Sequence, residues 1–225
     1  MTLGSPRVHH RVTGSTNDLA RELAFAGAPH GTLVTAAEQH AGRGRQGRRW
    51  HAPPASALLC SLVLRDPPPL LSLRAGIAVA EAIGPGARLK WPNDVLVDGR
   101  KAAGILVETR PRERWAVLGI GVNVAVDLAE LPAQLARTAG TLGLDRSAIE
   151  PLLGQLLVRL EDWLARAERT VLEGWRSRDA LLDLEVAWRG GAGIARGIDD
   201  AGSLLVESAG AVHALDAGEV HLLER

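Results

Sequence analysis

Apolar positions along the chain follow two spacings, and each change of spacing marks an element. Ala57–Leu64 is a nearly unbroken apolar run of strand length, which predicts a buried strand. Trp115–Val124, reading WAVLGIGVNV, predicts another strand. His9–Thr13, Thr32–Ala37 and Arg88–Trp91 predict shorter ones, the last stopped by Pro92. Val95–Val97 and Ala102–Glu108 flank Asp98-Gly99, a two-residue hairpin signal. Helical spacing takes over at Leu19, Ala20, Leu23 and Ala24, behind Ser15 and Asp18 in the arrangement of a capping box. Leu71–Ile83 predicts a second helix, with Gly84-Pro85-Gly86 as its stop. Ser147–Ala167 is the clearest helix. Its core stripe runs from Ile149 to Leu164, Ser147 and Glu150 form a second capping box, and a weaker helical pattern continues to about Arg178.

From Leu184 the pattern turns to short β runs separated by glycines. Leu184–Trp188, Gly193–Ile198, Ser203–Glu207, Ala211–Ala214 and Glu219–Leu223 predict five strands. The implied architecture is α+β: a mixed β-sheet flanked by helices over residues 1–178, then a small SH3-like β-barrel over residues 179–225.

Composition narrows the setting. The 225 residues carry zero formal net charge, so bulk attraction to nucleic acid is not implied and any basic function must be local. Cys60 is the only cysteine, so no intramolecular disulfide forms, as suits a reducing cytoplasm. The first residues lack the apolar core of a signal peptide, and no apolar run approaches a membrane span of ~20 residues. A soluble cytoplasmic protein is expected. Lys90 and Lys101 are the only lysines among 26 basic residues, which points to a compact ammonium being wanted at those two places.

Four stretches carry chemistry. Gly42–Trp50, reading GRGRQGRRW, combines glycines that let backbone N–H groups approach an anion with arginines that supply forked donors. A loop of this composition is expected to be mobile and positive until an anion orders it. A solvated basic loop is the plain alternative. KWPND, Lys90–Asp94, places a lysine at a strand end before a turn, and a surface lysine would look the same. Ser15, Thr16 and Asn17 are either a helix cap or a small polar-ligand site, since both use the same orphan donors. In GIGVN, Asn123 is either a turn residue or a group that reaches a nucleotide.

Together, and in this order, STND, EQHAGRGRQGRRW, LKWPNDV, KAAGILVE and GIGVNV resemble the biotin–protein ligases, over about residues 12–124 and more weakly through GSLLVE and LDAGEVHLLE at the end. Lipoate ligases share that family's class II synthetase-like fold but lack the GRGRxGRxW and KWPND pair. The resemblance implies a monofunctional biotin–[acetyl-CoA-carboxylase] ligase. Such an enzyme makes biotinyl-5′-AMP and pyrophosphate from biotin and ATP. It then passes biotin to one lysine of a biotin carboxyl carrier domain.

By the same resemblance, Ser15, Thr16, Asn17 and Gln39 bind biotin with Gly42, Arg43, Gly44, Arg45, Lys90 and Gly104. Arg43, Arg45, Arg48, Trp50, Lys90 and Asn123 bind ATP or the adenylate. Lys90 and Arg45 are the implied catalytic pair, Lys90 bridging the biotin carboxyl and the α-phosphate and Arg45 retaining the adenylate. Mg²⁺ is expected on the ATP phosphates with no dedicated protein ligand set. The role of Asp94 stays open between turn geometry and catalysis. Because the Ser-Thr-Asn motif starts at residue 15, no N-terminal DNA-binding domain and no operator binding are expected; the lack of a long apolar run leaves no membrane partner expected, and a homodimer is left open. A lipoate- or octanoate-type acyl ligase and a nucleic-acid-binding module are the competing readings.

Overall fold

The structure, a computed structural model, describes residues 2–216, 218 and 220–223. Strand β1 (Arg7–His10), helix α1 (Thr16–Phe25) and strands β2 (Leu33–Ala36) and β3 (Ala57–Arg65) come first. Helix α2 (Leu71–Ile83), β4 (Arg88–Lys90), β5 (Asp94–Val97), β6 (Arg100–Arg110) and β7 (Trp115–Asn123) follow. These seven strands form one mixed sheet in the order β1-β2-β3-β7-β6-β5-β4, in which β1 and β2 are parallel and all other neighbours antiparallel. A short helix α3 (Ala133–Ala136) leads to α4 (Ile149–Ala165) and α5 (Glu168–Arg176). The expected turn at Asp98-Gly99 is present, with both residues at positive φ (50° and 74°), the conformation that asparagine, aspartate and glycine tolerate best.

Strand periodicity decides which side of the sheet does what. On β7, Ala116, Leu118, Ile120 and Val122 point into the main core with Ile77 of α2 and Leu156 and Leu160 of α4. Leu58, Cys60, Leu62 and Leu64 of β3 share that core. On the opposite face, Trp115 and Val117 of β7 and Val63 of β3 pack under Ala20 and Ala24 of α1. At and beyond the N-terminus of α1 this second face carries Ser61, Gly104, Gly119 and Gly121 instead of bulky residues. Helices cover one side completely, and the other side is left half open.

The buried Arg74 side chain ties the helices together. Its Nη1 donates to the carbonyls of Trp163 and Arg166 at 2.7 Å, and its Nε donates to Pro69 O at 2.8 Å. It thereby supplies donors to carbonyls at and just past the C-terminal end of α4, where the helix itself leaves them under-bonded.

Both expected capping boxes are absent, because distant arginines take the carboxylates. Ser147 lies in a 3₁₀ turn before α4, Ala148 holds the cap position, and Glu150 accepts two hydrogen bonds from Arg7 of β1 at 2.6 and 2.8 Å. At α1 the Ser15 side chain makes no cap bond, and Thr16 N donates instead to Gln39 Oε1 at 2.6 Å. Asp18 pairs with Arg21 and Arg43.

The C-terminal strands β8 (Glu185–Trp188), β9 (Gly191–Ile198), β10 (Leu204–Ser208), β11 (Ala211–Leu215) and β12 (His221–Leu222) form an antiparallel sheet in the order β11-β10-β9-β8-β12. Among the described residues no ladder joins β11 to β12, so the SH3-like strand set is open rather than closed. Of the last expected strand, Glu219 lies outside the described residues. Residues 178–180 run along β4, with Leu89 N donating to Arg178 O and Ala180 N to Leu89 O, both at 2.8 Å. Trp91 Nε1 donates to Gly202 O at 3.0 Å, which fixes the second sheet to the end of the first.

Candidate functional site

The open half of the sheet face forms the floor of a cleft of about 590 Å³. Ser15, Thr16, Asn17, Gln39, Arg43, Gly44, Arg45, Arg48, Trp50, Lys90, Gly104 and Asn123 all line it. These residues are spread over more than a hundred positions of sequence, and the fold brings every one of them to a single cavity. Gly42, the remaining expected residue, stands behind the lining. A Cβ there would lie 2.7 Å from Trp50 O, so glycine is needed for the loop to fold back on itself.

One end of the cleft is polar and uncharged. The N-terminus of α1 is aimed across the sheet at β3, which places Thr16 and Asn17 over Ser61. The Ser61 hydroxyl lies 2.6 Å from Asn17 Oδ1 and 2.8 Å from Thr16 Oγ1, and donates to one of them at a time. Thr16 Oγ1 donates to Gln39 Oε1 at 3.0 Å, and Asn17 Nδ2 to Glu108 Oε2 at 2.8 Å. Gln39 accepts only through its oxygen, which leaves its amide N–H groups for a ligand. Beneath the cluster a Cβ on Gly119 would run into the Asn17 amide, 2.8 Å from its Cγ.

The Gly42–Trp50 loop is folded as a small flap. Arg43 and Arg49 form an antiparallel bridge, Trp50 N donates to Gly42 O at 3.0 Å, and Gly44 N donates to Arg48 O at 2.8 Å. The tip is a 3₁₀ turn at Arg45–Gly47, with Gln46 and Gly47 at φ 54° and 76°. At its root the Trp50 indole is seated on two bare positions of the sheet. A Cβ at Gly121 would lie 2.6 Å from Trp50 Cε2, and one at Gly104 would lie 3.0 Å from Cζ3. The Arg43 guanidinium turns away toward Asp18 and Glu108, at 2.9 and 3.0 Å.

The other end of the cleft is cationic. Lys90 ends β4 and stands in register with Asp94 of β5, while Lys101 of β6 pairs with Asp94 at 2.6 Å and lies 5.9 Å over the Trp50 ring. Burial pushes the Lys90 ammonium below the ordinary lysine value; Asp94 opposes that shift, and Lys101 and Arg48 add to it. Arg45 is likewise lowered by burial, against Asp94 and with Arg48. Asp94 therefore stands among Lys90, Lys101 and Arg45, and an incoming anion would relieve the repulsion that Lys101 and Arg48 exert on Lys90. Asn123 donates from Nδ2 to Gly140 O at 2.8 Å, and its buried Oδ1 has no protein partner. Among the described residues no three acidic, histidine or cysteine side chains form a cage for a metal. Cys60 borders the cleft only through its backbone position: its thiol lies in the helix-covered core, where burial pushes it up to about 12, and it is not a nucleophile at neutral pH.

Sequence reasoning missed Ser61 and Glu108. Ser61 interrupts an apolar run, which was the available signal, and Glu108 had none. Asn93, in the turn expected after Lys90, donates to Ile105 O at 2.8 Å and so tethers the β4–β5 turn to β6. Lys101 stood out as a retained lysine, but only the fold sets it opposite Lys90. No described helix is long and apolar enough to cross a membrane.

The family model described as the biotin/lipoate A/B protein ligase family matches residues 9–125. The chain is 36% identical to the biotin–[acetyl-CoA-carboxylase] ligase of Mycobacterium tuberculosis, over 92% of this chain and 85% of that protein. It is 34% identical to the bifunctional ligase/repressor BirA of Bacillus subtilis, over 98% of this chain and 75% of that one. Among solved structures, biotin protein ligase from Aquifex aeolicus in complex with biotin and ATP superposes with a TM-score of 0.82 at 26% identity, covering 98% of this chain and all of that one.

Proposed function

The chain belongs to the biotin/lipoate A/B protein ligase family, and from that premise we propose that it activates biotin with ATP and transfers it to a lysine of a biotin carboxyl carrier domain. The observation that carries this reading is the polarity of the single cleft. An uncharged hydrogen-bonding floor of Thr16, Asn17 and Gln39, braced from behind by buried Ser61, lies at one end, and Lys90, Lys101, Arg45 and Arg48 gather at the other. The ureido ring of biotin has a carbonyl to accept and N–H groups to donate. The dithiolane ring of lipoate has neither and would leave the Gln39 amide N–H groups without a ligand partner, at a cost of roughly 1–3 kcal/mol.

The mechanism follows from placing the valeryl carboxylate at the cationic end. That carboxylate attacks the α-phosphorus of ATP, the bond to the pyrophosphate oxygen breaks, and a mixed anhydride forms. Lys90 and Lys101 flank the meeting point of the two anions and lower their repulsion. Arg48 takes the departing phosphates, and Trp50 presents an aromatic face toward the adenine. Mg²⁺, arriving on the triphosphate, would supply further charge neutralisation, with Asn123 Oδ1 the neutral oxygen nearest that role. The acceptor ε-amine then attacks the biotinyl carbonyl, AMP leaves, and an amide forms. Arg45, at the tip of the flap, closes over the anhydride and limits its escape and hydrolysis. In this reading residues 1–178 are the catalytic unit, residues 179–225 buttress it, and the enzyme works in the cytoplasm.

The test is incubation of the protein with ATP, Mg²⁺, biotin and a biotin carboxyl carrier domain, read by mass spectrometry. One biotinyl group on one lysine is the expected product. Pyrophosphate exchange supported by lipoate and not by biotin would overturn the substrate assignment.

A further inference from the structure

Glu108 does not line the cleft, yet its two carboxylate oxygens hold two different parts of it. Oε2 accepts from Asn17 Nδ2 at 2.8 Å, in the floor of the pocket. Oε1 lies 3.0 Å from Arg43 Nη1, at the base of the flap. Asp18 shares Arg43 at 2.9 Å and Arg21 at 2.8 Å, so two acids and two arginines close a neutral quartet between α1, β6 and the flap.

The chemistry of this carboxylate sets the polarity of the pocket floor. An ionised carboxylate only accepts, so Asn17 must turn its amide nitrogen toward Glu108 and its carbonyl oxygen toward Ser61. Ser61 then donates to that oxygen, and Thr16 is left to donate to Gln39. Were Asn17 flipped, its carbonyl oxygen would meet the Glu108 carboxylate, two acceptors in one place, and Ser61 would have to turn its hydroxyl to Thr16. Packing gives the amide no third position, since β7 approaches it so closely at Gly119.

We propose that Glu108 is a positioning residue that couples the flap to the pocket: one oxygen fixes which way Asn17 presents its amide to the ligand head group, and the other anchors the flap through Arg43. The proposal rests on the reading of the cleft as a biotin site. It assigns Glu108 no contact with either substrate and no proton transfer.

Glu108→Gln tests it, because a glutamine has one acceptor and one donor and cannot serve Asn17 and Arg43 together. Biotin affinity is measured by calorimetric titration for the wild type, Glu108→Gln, Asn17→Ala and the double variant, with thermal unfolding alongside. Glu108→Gln is expected to weaken biotin binding about tenfold, the scale of one mispaired buried amide. In the Asn17→Ala background the same change should cost less than about twofold, as expected for residues acting through one another. A purely structural role would lower the melting temperature without that non-additivity. The release rate of biotinyl-adenylate from Arg43→Ala probes the flap half independently and is expected to rise severalfold. Equal biotin affinity in Glu108→Gln and wild type, an undiminished penalty in the Asn17→Ala background, or unchanged release from Arg43→Ala would each overturn the coupling. If the wild-type chain itself binds no biotin, the functional reading falls and the proposal falls with it.

Discussion

The two faces of strand β7 share one backbone and differ in everything else. Its even-numbered residues, Ala116, Leu118, Ile120 and Val122, are packed among helices α2 and α4 and make no contribution to the polar floor. On the odd-numbered side, Gly119 and Gly121 contribute almost no side chain, and Asn123 is polar. One face stores stability as packed apolar volume. The other holds free space, into which Asn17 and Trp50 have been brought from elsewhere in the chain. From Leu118 to Asn123 the period-2 rule for strands therefore separates folding from chemistry residue by residue, and a substitution there should damage one or the other according to its parity; Trp115 and Val117, on the same side as Gly119, pack under α1 instead.

The largest expected effect is on chemistry alone. Lys90→Ala should lower biotin-dependent pyrophosphate exchange by about a thousandfold, the scale of removing one preorganised charge from a water-poor site, with little change in melting temperature. Lys101→Ala run beside it apportions the burden between the two lysines that face Asp94. Wild-type exchange from Lys90→Ala would end its assignment. The same lysine predicts an alkaline limit. Because burial holds its folded-state value below that of an ordinary lysine, kcat/KM should fall as pH rises through a midpoint under 10.5, and Lys90→Arg should move that fall to higher pH.

Adjacent residues of β7 give the most direct contrast. Leu118→Ala should cost roughly 3 kcal/mol of stability in denaturant unfolding while leaving the KM for biotin nearly unchanged. Gly119→Ala should do the reverse, raising that KM at least tenfold by displacing the Asn17 amide. If both variants lost stability and affinity together, the division between the faces would be wrong.

A smaller effect is expected at the flap tip. Arg45→Gly should leave adenylate synthesis largely intact yet increase the biotin labelling of bystander proteins severalfold. Unchanged bystander labelling would remove the retention role. Smallest is the change at Asp179, whose carboxyl is raised by burial although the Leu181 N–H donates to it. A carboxyl raised on folding adds stability that is present at acid pH and lost as pH rises through its folded-state value. Asp179→Asn should therefore stabilise the protein at neutral pH by up to about 1 kcal/mol, and the margin should shrink on acidification. A constant margin from pH 7 to pH 4 would show that the titration is not involved.

The elements were largely legible in the sequence because they follow from local rules. The apolar run at Ala57–Leu64 is buried on both faces as its continuity implied, and Asp98-Gly99 turns where a glycine-containing pair should. The motifs also located the cleft, since the expected residues other than Gly42 line it. What the sequence did not disclose depends on partners far away in the chain. Glu150 looked like a capping residue until Arg7, 143 positions earlier, claimed it. Ser15 has the right chemistry for a cap, but Gln39 performs that task from the loop after β2. Ser61 and Glu108 acquire meaning only when α1 is laid across β3 and β6, and no spacing along the chain encodes that crossing.

The segment at residues 178–180 has a consequence for the integrity of the sheet as a whole. β4 is the last strand in the order, and a short terminal strand with bare N–H and C=O groups invites pairing with another chain. By bonding to Leu89 from both sides, Arg178 and Ala180 occupy that rim, so the strand that carries Lys90 has neighbours on either flank. Shortening the protein before residue 178 would do more than remove the C-terminal strands. It would uncover an adhesive border directly beneath the lysine, and self-association and loss of turnover should then appear together.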